Sequence, residues 1–340
     1  MIRKIDTGIK SFVLTAMLIG AMLISVLPNA SAQFYNGSQL NFGKNRVQYK
    51  NFIWNYYRFS NFDTYFYLNG APLAEHCEKY AREQLRNLQS MLQNNLDGKI
   101  QFIIFNTLTD LKESNLGLLS NEKYNIGGIT HILGRKVLLY FDGDYANFDK
   151  QIRAGIAKVL LDQLMYGASV GTQVKNNALS NYPEWYANGL VSYLSEEWST
   201  KLDNFVKDAL MTKKLQHINT LKETDAVYAG HSLWKYIGDK YGKNVIPAIV
   251  YASRMSKKIQ GGFTNELGLK LRQLEKQWIE DLSKRYKADD AGRNDVPKSL
   301  IISHPKITRT YERLRLSPDG TKAAYVTNES GKAIIWVYDS

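Results

Sequence analysis

The sequence predicts an α+β fold in three successive parts, and the period of its apolar residues is the main observation behind this prediction. Between residues 52 and 166, short apolar runs of strand character alternate with longer runs at helical spacing. From 183 to 287 the helical spacing dominates, and after 298 short strands are separated by a tight turn. The polar stretch 288–298 between the last two parts is predicted to be a linker.

The first 32 residues have the pattern of a secretory signal peptide. Three basic residues precede an apolar run from Phe12 to Leu27, and the small residues Ala30-Ser31-Ala32 follow it. A transmembrane anchor is the alternative, but this run is shorter than the about 20 residues that a bilayer span needs. We therefore expect export, cleavage after Ala32, a loose mature N-terminus over 33–51 and no transmembrane span in the mature chain. The expected location is the periplasm or the outer membrane.

The charge and the cysteine content narrow the choice of partners. The formal net charge is +12, and since the signal segment carries three basic residues and one acidic residue, the mature chain keeps +10. Nucleic-acid binding is one interpretation of such a charge, but the basic residues are spread along the chain without a nucleic-acid motif. We expect no nucleic acid as partner and a basic surface that faces an anionic envelope. The single cysteine, Cys77, excludes an internal disulfide and a cysteine-based zinc site.

In the first part, strands and helices alternate. Pro72 marks a helix start and Gly98 a helix end. The predicted elements are a half-buried strand from Phe62 to Tyr67, a helix from Leu73 to Leu96, a strand from Ile100 to Phe105, a short helix from Thr109 to Asn115, a strand from Val137 to Phe141 and an amphipathic helix from Phe148 to Tyr166.

The second part is predicted to be helical throughout. Pro183 opens a helix from Glu184 to Trp198, and the remainder to Lys287 keeps helical spacing. The clearest later helices run from Tyr228 to Tyr241, from Val245 to Met255 and from Leu271 to Tyr286.

The helix after Pro183 begins Pro-Glu-Trp-Tyr-Ala-Asn-Gly-Leu-Val-Ser-Tyr, after the order strand, helix, strand, hairpin and long helix. With this motif and order, residues 52–287 resemble the gluzincin metallopeptidases, in particular the peptidase MA-like domains of bacterial envelope proteins, which implies a thermolysin-like fold. In that family the long helix carries His-Glu-x-x-His, and the next helix carries a glutamate after Pro-x-Trp. Two histidines four residues apart bind one Zn²⁺, and the glutamate between them polarises the attacking water.

This chain has other residues at all four functional positions of the family. The resemblance places Ala154 and Lys158 at the two histidines, Gly155 at the general base and Asn188 at the ligand glutamate. Alanine and glycine offer no lone pair, a lysine repels a cation, and asparagine is a weak neutral ligand. We therefore expect no catalytic residue, no metal and no cofactor, and we interpret the domain as a degenerate peptidase rather than an enzyme.

No other residues replace the missing ligands in the sequence. The five histidines are not spaced four residues apart, and each is interpreted as a core or a solvated histidine. They are His76, His131 near the hairpin that borders the family's cleft, His217, His231 at the start of a later helix, and His304. The carboxylates of Glu184, Glu196 and Glu197 are interpreted as helix-surface groups.

The last part resembles the first blade of TolB-like or WD40-like β-propellers. The segment Leu316-Ser317-Pro318-Asp319-Gly320 forms a tight turn between two strands, and a further strand is predicted from Lys332 to Tyr338. A few strands do not bury their faces alone, so residues 299–340 are predicted to begin a propeller in a chain that continues beyond Ser340.

These observations favour a non-catalytic domain that binds a peptide or an envelope protein in the former cleft, between the hairpin at 128–141 and the two motif helices. Addition of an extended peptide to the hairpin edge is a plausible mode. A permanent subunit of a secretion or outer-membrane assembly machine fits equally well. The alternative is a hydrolase with an unrecognised site, such as Ser192 or Ser195, or with its activity in further C-terminal domains, although no Gly-x-Ser-x-Gly elbow is present.

Overall fold

The computed structural model describes residues 49–113, 130–132, 135–167, 182–293, 302 and 305–339. The chain divides into two compact units, Met1–Ser283 and Lys284–Ser340. The first unit combines one sheet with a set of helices, and the second is a small sheet. The predicted α+β class is therefore confirmed.

The sheet of the first unit has five strands in the order β1-β2-β3-β5-β4. Its strands are β1 (Trp54–Arg58), β2 (Phe62–Tyr67), β3 (Ile100–Phe105), β4 (Thr130–Ile132) and β5 (Lys136–Tyr140). The three central strands β2, β3 and β5 are parallel, whereas β1 and β4 pair antiparallel at the two edges. The two edges of the sheet are therefore both formed by antiparallel strands.

Nine α-helices and one 3₁₀ segment accompany this sheet in the described residues. They are α1 (Ala71–Leu92), α2 (Leu108–Lys112), α3 (Tyr145–Tyr166), α4 (Glu184–Ser195), α5 (Thr200–Met211), the 3₁₀ segment Lys214–Thr220, α6 (Glu223–Tyr241), α7 (Val245–Ser256), α8 (Ile259–Leu267) and α9 (Leu271–Asp290). Helix α1 packs against α3, and α3 in turn packs against β5 and α4. Helix α3 therefore connects the sheet to the helical half.

The sheet is buried on both faces along much of β2, so the prediction of a half-buried strand is wrong there. Phe62, Thr64 and Phe66 point to one face and are buried, while Tyr67 on the other face is also buried. The second face is covered by a small apolar cluster of Tyr67, Ile103, Phe105, Leu111 and Leu138, with Phe52 packed against it. The polar residues Asp63 and Thr64 within this aromatic segment did not indicate the second layer.

The cluster also contains a buried hydrogen-bond centre at Tyr67. The Tyr67 hydroxyl donates to Asp110 Oδ2 at 2.5 Å and accepts from the Asn106 backbone N–H at 3.0 Å. Lys50 forms an ion pair with the same carboxylate. Glu113 Oε2 accepts from the backbone N–H of Lys50 and its neighbour at 3.1 Å. The end of the stretch predicted to be loose, at 49–51, is therefore attached to the domain, while 33–48 lies outside the described residues.

Several helix ends differ from the predictions for local reasons. Helix α1 ends at Leu92 because Gln93 adopts the left-handed conformation, with φ of 49°. The Leu96 backbone N–H then bonds to the Gln89 side chain at 2.9 Å, outside the helix. Helix α3 begins at Tyr145, three residues early, because the Asp144 side chain accepts from the Ala146 backbone N–H and caps it.

Helices α4 and α6 cross at a pair of glycines. A β-carbon added to Gly189 would lie 2.6 Å from the Gly230 carbonyl carbon, and one added to Gly230 would lie 2.8 Å from the Gly189 Cα and would collide with the Trp185 carbonyl oxygen. The backbones approach this closely only because neither residue has a side chain. The crossing sets the distance between α4 and α6. It thereby also sets the environment of Ser192, which lies about one turn after Gly189 on α4.

The second unit holds an open antiparallel sheet of β6 (Thr310–Leu316), β7 (Lys322–Glu329) and β8 (Lys332–Asp339), in that order. The predicted turn between β6 and β7 is present, with the Gly320 N–H bonded to the Ser317 carbonyl at 2.9 Å. The predicted linker is wrong at its start, because α9 continues to Asp290; residues 294–298 lie outside the described residues. Among the described residues, no helix has the length and apolarity of a membrane span.

Candidate functional site

Helices α3 and α4 carry the four positions that the family resemblance assigns to zinc chemistry. Ala154 is fully buried within α3. A β-carbon added to Gly155 would lie 2.5 Å from Val137 Cγ1 of strand β5. Real β-carbons do not approach another atom this closely. The helix therefore lies directly on the sheet at the position where the family has its general base.

The other two positions are polar and partly accessible. The Lys158 ammonium lies 2.6 Å from Asp162 Oδ1 one turn along α3, and its side chain is 26% exposed. Asn188 is half-buried on α4, and its side chain forms no hydrogen bond with the described residues. No hydrogen bond or ion pair in the described part of the chain joins Asn188 to Lys158. The two residues are therefore partly exposed without forming a joint site.

Direct polar contacts hold α3 and α4 side by side. The Arg153 Nε donates to the Leu194 carbonyl at 2.6 Å, and its guanidinium also bonds to the Gln84 side chain of α1. Lys150, one turn before Ala154, forms an ion pair with Glu196 at the end of α4. These contacts fix α3 against helices α1 and α4.

Lys150 and Glu196 belong to a partly buried polar network with Ser192 and His231. The Ser192 hydroxyl donates to Glu196 Oε1 at 2.8 Å and lies 2.9 Å from His231 Nδ1. Ser192 is fully buried and His231 is 1% exposed. The Glu196 side chain is 17% exposed, so its interpretation as a surface carboxylate is wrong.

The proton arrangement of this network follows from its acceptors. A carboxylate only accepts, so the single hydroxyl proton of Ser192 points to Glu196. The Ser192 oxygen then accepts the proton on His231 Nδ1. His231 donates to Ser192, and Ser192 donates to Glu196. Glu196 also forms an ion pair with the Lys150 ammonium. This network ties α3, α4 and α6 together.

Burial lowers the pKa of His231 to about 4, because the charged imidazolium is desolvated. The Glu196 carboxylate opposes this shift of the His231 pKa, while Lys150 and Lys235 add to it. His231 is therefore neutral at neutral pH and is a core histidine, as one of the two sequence interpretations expected. It lies in the middle of α6 and not at a helix start.

The remaining histidines lie apart from one another in the described residues. His76 of α1 lies 2.5 Å from Asp149 Oδ1 of α3, and His217 is exposed on the 3₁₀ segment. His131 is part of β4, and its side chain and His304 lie outside the described residues. Within the described part of the chain, no group of three or more His, Cys, Asp or Glu is arranged to hold a metal ion.

The Ser192–His231 contact does not have the geometry of a catalytic pair. A general base presents an unprotonated nitrogen to the serine hydroxyl, whereas here the hydroxyl proton is directed to Glu196. A substrate also needs access to the serine oxygen, and Ser192 is fully buried. Ser195 is buried as well and donates to the Ser192 carbonyl at 3.3 Å. In this arrangement the network serves to fix the helices.

Strand β4 forms the edge of the sheet next to β5. In the described residues it pairs with β5 alone, with Thr130 opposite Leu138 and Ile132 opposite Lys136. Since Gly155 of α3 contacts Val137 of β5, the β4 edge and helix α3 flank the same strand. An edge strand presents unpaired backbone groups that can pair with an extended peptide.

Comparison with known proteins finds no matching family model and no matching curated protein. The resemblance to gluzincins is therefore carried by the order of the elements and by the motif at Pro183, Trp185 and Gly189.

Proposed function

We propose that residues 52–287 form a degenerate, thermolysin-like gluzincin domain that binds protein or peptide segments in the bacterial cell envelope without cleaving them. One observation carries the proposal: at the family's general-base position, α3 lies so close to β5 that a β-carbon at Gly155 would lie 2.5 Å from Val137 Cγ1 and would force that side chain to move. The position now serves packing, and the same holds for the fully buried Ala154.

Further support comes from the arrangement around these positions. A sheet with an antiparallel edge strand, then a long helix and a second helix packed beside it, matches the order of the family. Lys158 is neutralised by Asp162 at 2.6 Å, and a lysine next to a cation site opposes metal binding. On this proposal, the scaffold would be retained while packing and an ion pair replace the chemistry of the family's centre.

The proposed mode of binding is addition of an extended segment to strand β4. Backbone hydrogen bonds to an edge strand give affinity that depends little on sequence, and side chains at alternate positions add specificity. Asn188 of α4 and Lys158 of α3 are both partly accessible and would supply polar contacts to such a segment. The ligand is therefore an extended peptide segment of an envelope protein.

We further propose that residues 299–340 begin a β-propeller blade and that the exported protein acts as a periplasmic or outer-membrane subunit of a secretion or assembly machine. Support comes from the three antiparallel strands and the turn at Gly320, which has φ of +71°. A glycine there adopts the left-handed conformation at no steric cost.

Among the described residues, the Ser192–His231 contact is the observation that favours a hydrolase instead. It is disfavoured by the burial of Ser192 and by the direction of its proton. The substitution Ser192→Ala separates the two functions, because it abolishes turnover by a serine hydrolase but leaves peptide binding at β4 intact.

Site-specific cross-linking tests the proposed binding site. A single cysteine is introduced at Thr130 of β4 in one variant and at Tyr56 of β1, the opposite edge, in a matched control. Cys77 does not compete for the label because it is fully buried. Each variant is labelled with a thiol-linked photo-crosslinker and offered a panel of synthetic peptides from envelope proteins.

We expect peptides that bind to the unlabelled protein to cross-link from position 130 and not from position 56. Equal cross-linking from both positions, or from position 56 alone, contradicts binding at the β4 edge. If no peptide in the panel binds, the proposed function itself is contradicted.

A further inference from the structure

The end of helix α7 and the turn after it form an exposed corner that is both basic and apolar. We define the α7 corner as Tyr251, Arg254, Met255, Lys257 and Lys258, all of which are exposed. Tyr251 is 54% exposed and Met255 is 65% exposed. Residues three and four apart on a helix lie on one face, so Tyr251, Arg254 and Met255 share a surface.

The local sequence makes the charge of this corner one-sided. Between residues 240 and 265 there are five basic residues and no acidic residue, and three of the five lie in the corner. Lys257 and Lys258 form no ion pair with a described residue. The Arg254 guanidinium donates to the Leu164 carbonyl at 3.2 Å, which holds this side chain at the surface of α3. The corner therefore presents positive charge that pairs with no carboxylate among the residues that the structure describes.

The two large apolar groups distinguish the corner from an ordinary solvated basic surface. The buried side of α7 packs into the core through Ile246, Ile249 and Val250. Tyr251 and Met255 are exposed and do not contribute to this core. A tyrosine beside basic residues suits the boundary of a bilayer, because its ring enters the headgroup region while the hydroxyl stays hydrated. Basic side chains nearby are attracted to anionic headgroups.

We propose that the α7 corner is a membrane-contact site that binds the surface of an anionic phospholipid bilayer. The lysines and Arg254 supply electrostatic attraction, and Tyr251 and Met255 insert into the headgroup boundary. Each basic residue near such a surface strengthens binding about fivefold. A corner of this size gives reversible contact rather than permanent anchoring. The site lies on a different element from the β4 edge and goes beyond the proposed peptide binding.

Sedimentation with vesicles tests this site. The processed protein, with its N-terminus checked by mass spectrometry, is mixed with vesicles of phosphatidylcholine or of equal parts phosphatidylcholine and phosphatidylglycerol. Lys257→Gln with Lys258→Gln removes two charges from the corner. The matched control, Lys270→Gln with Lys276→Gln, removes two exposed lysines from the same unit, before and within α9.

We expect binding to the anionic vesicles only, weakened by added salt. The Lys257/Lys258 variant should lose about 25-fold in partition coefficient, and the control less than about twofold. Tyr251→Ser with Met255→Ser should also weaken binding while circular dichroism stays unchanged, since both side chains are exposed.

Equal loss in the corner variant and the control overturns the proposal, as does equal binding to neutral vesicles. Retention on a soluble polyanion such as heparin without vesicle binding also overturns it. If the Tyr251/Met255 variant binds anionic vesicles as strongly as the wild type, insertion of these two side chains into the headgroup boundary is contradicted. Peptide cross-linking from position 130 is expected to be the same in the corner variant, so the two proposals fail separately.

Discussion

Replacing His231 with asparagine should remove a defined part of the acid sensitivity of the fold. His231 is 1% exposed, and burial lowers its pKa to about 4 from an ordinary value of 6.5. The unfolded chain therefore binds a proton between pH 6.5 and 4 that the folded chain does not bind. Stability is lost as the pH falls through this window, in the direction given by linkage.

The size of this effect follows from the shift in the His231 pKa. The full difference corresponds to about 3 kcal/mol below pH 4, of which about 2 kcal/mol is already lost at pH 5, since one pKa unit is 1.36 kcal/mol. Asparagine retains a donor near the Nδ1 position for Ser192 but does not titrate. The packing cost of His231→Asn is the same at every pH, so only the slope with pH reports on the imidazole.

The assay is urea unfolding followed by circular dichroism at pH 7.5, 6.5, 5.5 and 5.0, in wild type and His231→Asn. The free energy of unfolding of the wild type should fall by about 2 kcal/mol more than that of the variant between pH 7.5 and 5.0. His217→Asn, at an exposed histidine, is the control for replacing a histidine with asparagine. Parallel slopes for wild type and His231→Asn would refute the buried, neutral state of this histidine.

Two further predictions concern the close helix crossing at Gly230 and the buried hydrogen bond of Tyr67. Gly230→Ala places a β-carbon against the Trp185 carbonyl and should lower the free energy of unfolding by about 3 kcal/mol. The control is Gly268→Ala, where the β-carbon enters open space at φ of +68°. This control should lower the free energy of unfolding by only about 1 kcal/mol. Similar costs for both would contradict the close helix crossing. Tyr67→Phe leaves the buried Asp110 without its 2.5 Å partner and should cost about 2 kcal/mol in urea unfolding, whereas a cost near zero would contradict this hydrogen bond.

The sequence was informative where a single element's pattern decides its structure. Pro183 does stand at the start of α4, and the apolar run from Ile100 to Phe105 is a buried strand. Strand β1 was not predicted, because Trp54–Arg58 shows no apolar alternation and is mostly exposed. Its structure depends on antiparallel pairing with β2, which is a tertiary effect that local patterns do not contain.

The buried polar network could be found only in part from the sequence. Ser192 and Glu196 are four residues apart, and a polar pair at this spacing beside Val191 and Leu194 was an available signal. The third member, His231, is 39 residues away. Its contact with Ser192 depends on the glycine crossing of α4 and α6, which brings two helices together without any local sign in either. The close packing of Gly155 on Val137 is a tertiary feature of the same kind.

The most direct test of the central claim is to measure binding and cleavage of the same peptides in one experiment. The processed protein, without added metal and with added zinc, is incubated with the peptide panel, and mass spectrometry follows both the retained fraction and peptide integrity. We expect retained, intact peptides in both conditions, with Ser192→Ala behaving like the wild type. Cleavage products that depend on zinc or on Ser192 would contradict it.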